Sequence, residues 1–241
     1  MSETPATQAT VRPLDAIERR VLGTLIEKGK TTPDQYPLSL NALVTGCNQK
    51  SNRDPVMTLD EEQVTRAIQS LKASGAMAEV FGSGKIPRYR HLAYEWLGVE
   101  KEELAILGEL LLRGEQTEGD LRGRASRMDP LPDLDVLRSH LDRLAARGLV
   151  VWLSPPGRGR LLTHGLLPAE KLEKVRSQLG MAGTMPAAAN DRADDHDRTA
   201  DDIPRVPAAV SDVSLEARVA RIEERLTAVL ARLDALDGGA G

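Results

Sequence analysis

The chain repeats itself at a spacing of 85 residues, and this repeat constrains the fold more than any other feature. Ile17, Val21, Leu22 and Leu25 mark the apolar face of a helix that stops at Gly29. Thr31-Thr32-Pro33 follows as the start signal of a next element. The stripe returns as Leu104, Leu107 and Leu111 within 100–113, stops at Gly114, and Gln116-Thr117-Glu118 follows. Gly29/Gly114 and Thr32/Thr117 are both 85 residues apart.

The later part of each unit also matches. Thr58-Leu59-Asp60-Glu61 has the spacing of a capping box, in which a Thr oxygen accepts from the backbone while the Glu reaches back. It opens a helix with Val64, Ile68 and Leu71 on one face, ending at Gly75. The counterpart starts near Leu134, carries Leu137, Leu141 and Leu144, and ends at Gly148. After each glycine the pattern predicts a short strand (76–81 and 149–153), a Gly- or Pro-rich turn and a returning strand. Gly75 and Gly148 are 73 apart, which puts about a dozen extra residues between the second and third helices of the first unit. Three helices followed by a hairpin is the order of a winged helix. The expected class is therefore mainly α with small β-hairpins, in two tandem winged-helix domains, 14–94 and 95–180. Residues 1–13 are read as a disordered N-terminus.

Composition narrows the partners and the chemistry. Aromatics are only 2% of residues, so the cores must be aliphatic. Lys, Arg, Asp and Glu sum to +2 over 14–93, −1 over 98–168 and −4 over 169–241. No segment has the positive excess that announces nucleic-acid binding on charge alone. Cys47 is the single cysteine, which excludes an intrachain disulfide and a cysteine-based zinc cluster. His91, His140, His164 and His196 form no ligand-spaced pair, and no P-loop motif occurs, so no cofactor or metal is expected. The first residues lack the apolar core of a signal peptide, and the apolar stretch 104–112 is too short to span a bilayer. The reading is a cytoplasmic protein with no membrane association.

The stretch from Thr31-Thr32-Pro33-Asp34-Gln35-Tyr36-Pro37-Leu38-Ser39 through Cys47-Asn48-Gln49-Lys50-Ser51-Asn52-Arg53-Asp54-Pro55-Val56-Met57 resembles the signature of the YceH-like family of bacterial proteins. Leu111-Leu112-Arg113-Gly114-Glu115-Gln116-Thr117 in the second unit resembles it too. The resemblance spans roughly 14–168 and implies a pair of winged-helix domains. The family has no settled activity, so no catalytic residue follows from it. Within the signature, Cys47, Asn48, Gln49, Lys50, Asn52 and Arg53 gather a thiol, amides and cations in a short loop. Two readings stay open: a binding loop presenting donors, or a connector satisfying its own backbone, with Cys47 as a buried hydrophobe ending the second helix. Catalysis by Cys47 would need a base, and no histidine lies close in sequence. The chain is not expected to be an enzyme.

Leu172, Val175 and Leu179 behind Pro168 predict a helix packed on the second domain. Residues 181–212 read as a flexible linker. Leu215, Val219, Ile222, Leu226, Val229, Leu233 and Leu236 then form a strict heptad over 213–237, with complementary charges at e and g. This predicts a coiled-coil helix and a homo-oligomer, with docking of that helix on its own domains as the alternative.

Two functions are expected from this organisation. The first is DNA binding, with a regulatory role, through the third helices and wings. Its residues would be Arg66 and Lys72 with Lys85, Arg88 and Arg90 in the first unit, and Arg138, Arg143 and Arg147 with Arg158 and Arg160 in the second. The alternative is a protein–protein adaptor that docks partners without touching DNA. Asp60, Glu61 and Glu62 at the start of the first recognition helix weigh against DNA.

Overall fold

A computed structural model describes residues 11–81, 86–157 and 159–182. It is a mixed structure of helices and two small antiparallel sheets. The elements are α1 (Ala16–Thr31), β1 (Leu38–Ser39), α2 (Leu40–Cys47), α3 (Glu61–Ala73), β2 (Met77–Phe81) and β3 (Pro87–His91) in the first half. After a short α4 (Ala93–Leu97) come α5 (Lys101–Arg113), β4 (Gln116–Thr117), α6 (Glu118–Ala125), α7 (Leu134–Ala146), β5 (Val150–Trp152), β6 (Leu161–His164) and α8 (Ala169–Ala182). The sheets have the same topology, β1-β3-β2 and β4-β6-β5.

Local chemistry explains the helix boundaries. The Asp15 carboxylate accepts from the amides of Ile17 and Glu18, while Glu18 accepts from the Asp15 amide, closing a capping box on α1. Glu100 and Glu103, 85 residues on, form the same box on α5. On α3 the box uses Asp60 and Gln63, where the sequence pattern pointed to Thr58 and Glu61. Thr58 lies two residues upstream of the cap, and the Asp60 carboxylate is the one within reach of the Gln63 amide, at 2.7 Å. At the other end, Gly75 and Gly148 take left-handed φ values of 76° and 70°. Those turns let Ala76 and Leu149 donate back to Leu71 and Leu144, satisfying carbonyls that a helix end leaves open.

The repeat also corrects the sequence alignment. Thr117, the N-cap of α6, corresponds to Ser39, the N-cap of α2, and not to Thr32. The offset therefore falls from 85 at α1/α5 to 78 at β1/β4 and 73 at α3/α7. The extra dozen residues of the first half are split. One part forms the 3-10 turn Pro33–Gln35 and its flank, and the other lengthens the α2–α3 loop to 48–60, against 126–133 in the second half.

The two halves share a continuous hydrophobic core. Its centre is the contact of α1 with α5, the first helix of each half. Gly23 and Gly108 are 85 apart and do equivalent work: a Cβ on Gly108 would lie 2.7 Å from Ile26 Cγ2, and one on Gly23 would lie 3.0–3.1 Å from Leu111 and Leu112. Each glycine thus receives the apolar side chain of the opposite helix. Polar links cross the same junction: the Asp54 amide donates to the Leu112 carbonyl, and Lys30 Nζ donates to the Lys101 carbonyl at 3.0 Å and pairs with Asp129. The predicted linker 181–212 and heptad 213–237 lie outside the described residues, apart from the last turn of α8. No described helix is long and apolar enough to cross a membrane.

Candidate functional site

The loop after α2 turns Arg53 and Leu59 inward, while Lys50, Ser51 and Asp54 to Val56 are exposed. Arg53 is buried, with its guanidinium 2.6 Å from the Glu27 carboxylate of α1 and donating to the Gly46 carbonyl and Gln49 Oε1. Asn48 spans the loop, accepting from the Leu59 amide and donating to the Leu59 carbonyl at 2.7 and 2.8 Å. Asn52, at a φ of 57°, accepts from Arg113 of α5. Arg20, on α1, closes the loop from below by donating to the carbonyls of Cys47 and Pro55. Of the six loop residues named from the sequence, Lys50 is the exposed one.

Cys47 is the last residue of α2 and is fully buried. Its Sγ lies 3.6 Å from Thr24 Oγ1, and burial pushes the thiol up to about 11. Such a thiol is protonated at neutral pH and shielded from reagents. The polar side chains of this loop hold its backbone, α1 and α5 together.

Most of the described basic candidates are already engaged. Arg66 pairs with Glu62 across one turn of α3 at 2.6 Å, and Lys72 pairs with Glu79 of β2. Arg138 bonds Glu118 and Asp135. Arg143 lies 2.9 Å from Glu103 and 2.7 Å from His140 Nδ1. Glu100, Glu103 and His140 approach one another closely enough to suggest a cation site, but the Arg143 guanidinium stands among them. Arg147 donates to the carbonyls of Leu97 and Gly98, tying the end of α7 to the junction of the halves. Arg160 stacks on Trp152, 3.5 Å from the ring centroid. Lys85 and Arg158 lie outside the described residues.

That leaves Arg88 and Arg90 on β3. Both are exposed and two residues apart, so they share one face of the sheet, while Tyr89 between them is buried. Arg88 donates to the Pro37 carbonyl at 2.9 Å. At the tip of the same hairpin, flanking 82–85, Phe81 is 66% exposed and Ile86 69%. Neither carries charge, the property by which the wing candidates stand out in the sequence. The available signal was that Phe81 is the only Phe of an aromatic-poor chain and sits beside a glycine-rich turn.

The family profile DUF480, described as a protein of unknown function, matches residues 14–158. A UPF0502 protein of Rhodopirellula baltica is 53% identical over 194 residues, covering 75% of this chain and 82% of that protein. A UPF0502 protein of Pseudomonas aeruginosa is 39% identical over 220 residues, 91% of both chains. The matched region holds the first half of the repeat, the second as far as the turn after β5, and the loop that carries the YceH-like signature, so the chain belongs to the DUF480 family of bacterial proteins of unknown function, also called UPF0502.

Proposed function

We propose that the two halves are tandem winged helices acting as a protein-docking module, with the first hairpin as the anchor. The observation that carries this reading is the tip of that hairpin, where Phe81 and Ile86 turn large apolar side chains to solvent. A partner offering an apolar pocket would desolvate both, and buried aromatic anchors of this kind supply much of the energy of protein interfaces. Charge supports the same reading. α3 opens with Asp60, Glu61 and Glu62, and α7 with Asp133 and Asp135, while Arg66, Arg138 and Arg143 are paired with carboxylates. A recognition helix of that make-up would meet phosphates with like charge and release few counterions. Self-association through the C-terminal heptad belongs to this proposal and would present the hairpin tips in pairs.

A second reading is favoured by the Arg88–Arg90 pair: DNA contacted through the first wing alone. One experiment separates the two. The full chain is titrated against fluorescent mixed-sequence duplex at about 50 and 200 mM salt, and a photo-crosslinking residue replaces Phe81 in bacterial cells. The docking reading expects little duplex binding and a discrete crosslinked protein that is lost on Ile86→Asp. Micromolar duplex binding that falls steeply with salt and weakens on Arg88→Ala and Arg90→Ala would overturn it in favour of DNA.

A further inference from the structure

Where the two halves meet, α1, α5, the end of β6 and α8 line a partly open cavity of about 230 Å³ that the signature loop borders on one side. Its polar lining is mainly basic: Arg19, Arg20, Arg113 and Lys171, with Thr163 and His164. Two acids, Asp54 and Glu115, also line it, and both are exposed side chains.

Three features of this lining bear on what it could hold. First, Arg20 is 2% exposed yet meets no carboxylate: its two terminal nitrogens donate to carbonyls, and its Nε has no partner. A guanidinium is permanently charged, and burying it away from water costs several kcal/mol unless an anion answers it. Second, Arg19, the preceding residue of α1, donates to the Leu14 carbonyl and lies in the field of Asp15 and Glu18, which brings a second guanidinium to the cavity. Third, Thr163 is fully buried and its hydroxyl makes no hydrogen bond. His164 is buried as well, and its Nδ1 accepts from the Leu166 amide, which leaves the proton on Nε2 as a further donor.

We propose that this cavity binds a small oxyanion, a phosphate or carboxylate group, held by Arg20, Arg19 and the Thr163 hydroxyl. One anion would give Arg20 the close countercharge it lacks, with Arg19 beside it, and engage the unused hydroxyl. The volume lies below the roughly 300–1,000 Å³ of pockets for drug-sized ligands, so the ligand has few atoms beyond its anionic group. Leu111, Met57 and Val175 line the remainder and fit a short apolar substituent. Because Lys171 and Val175 belong to α8, an occupied site clamps α8 against α1, which makes the ligand a candidate effector of whatever α8 leads into.

The test is calorimetric titration of the full chain at constant ionic strength, with inorganic phosphate in one arm and butyrate in the other. Saturable binding of either, one per chain, is expected, and the arm that responds identifies the anionic group. Thr163→Val keeps the shape and removes only the unpaired hydroxyl, so it should leave the unfolding midpoint of the free protein unchanged or raised. The same substitution should weaken binding about tenfold, as loss of a hydrogen bond to a charged group does. Arg19→Gln should weaken it further, and the ligand should slow amide exchange across 169–179. If neither anion binds saturably below about 10 mM, a Kd corresponding to roughly 3 kcal/mol, the proposal fails. It fails equally if binding persists unchanged in Thr163→Val and Arg19→Gln.

Discussion

The close approach of α1 and α5 can be tested with one chemical change made at two places. Gly108→Ala and Gly123→Ala both add a methyl group inside a helix. At exposed Gly123 in α6 the new Cβ meets nothing within 4 Å, so only helix propensity counts, and the protein should gain about 0.5–1 kcal/mol. At Gly108 the same methyl would sit 2.7 Å from Ile26 Cγ2 and 3.4 Å from Ile26 Cβ, well inside contact distance. Ile26 is fully buried and β-branched, so it cannot swing aside, and relief requires the two helices to separate. Overpacking of this kind costs about 1–3 kcal/mol. Set against the propensity gain, the net loss is about 0–2 kcal/mol, and because that gain is common to both variants they should differ by the overpacking cost, about 1–3 kcal/mol. Urea unfolding followed by circular dichroism measures this directly, and thermal midpoints should separate by several degrees, at about 2–4 °C per kcal/mol for a chain of this size. If Gly108→Ala proved as stable as Gly123→Ala, the helices would not meet at position 108, and the shared core would be refuted with them.

Other consequences follow from the buried polar groups. Glu27→Gln leaves the Arg53 guanidinium buried without its carboxylate and should cost about 3–5 kcal/mol, read as a lower urea midpoint; a loss under about 1 kcal/mol would show that the loop does not depend on this pair. His164 and His91 are held neutral by burial, down to about 3 and about 4, with Arg19 and Lys30 as further causes. Below the unfolded value near 6.5 the unfolded chain binds the extra protons, so stability is complete above that pH and falls as pH drops toward those values. His164 alone should remove about 2 kcal/mol by pH 5, and a stability flat between pH 7 and 5 would contradict its burial. Cys47 should resist a chromogenic disulfide reagent at pH 8 and react only as fast as the protein unfolds, whereas immediate stoichiometric labelling would place the thiol at the surface.

What the sequence determined by itself was whatever local chemistry and periodicity dictate. The apolar stripes of α1, α3, α5 and α7, and the left-handed turns at Gly75 and Gly148, follow from side-chain spacing and from a backbone conformation that glycine adopts without strain. Even within that reach the register slipped at Thr32, because a threonine before a proline signals an element start whether a 3-10 turn or a helix follows. Tertiary structure alone decided the fate of the charges. Arg53 and Arg88 look alike in a sequence, yet one meets Glu27 in the interior and the other lies on an exposed strand face, and only the packing of α1 beneath the α2–α3 loop separates them. Arg19 and Arg20 meet Thr163 the same way: it lies about 140 residues further along the chain, and they line one cavity because β6 packs on α5 and α5 on α1. Sequence spacing encodes which face of a helix is apolar. It carries no signal for which distant face that helix will meet, and the electrostatics of this protein depend on that meeting.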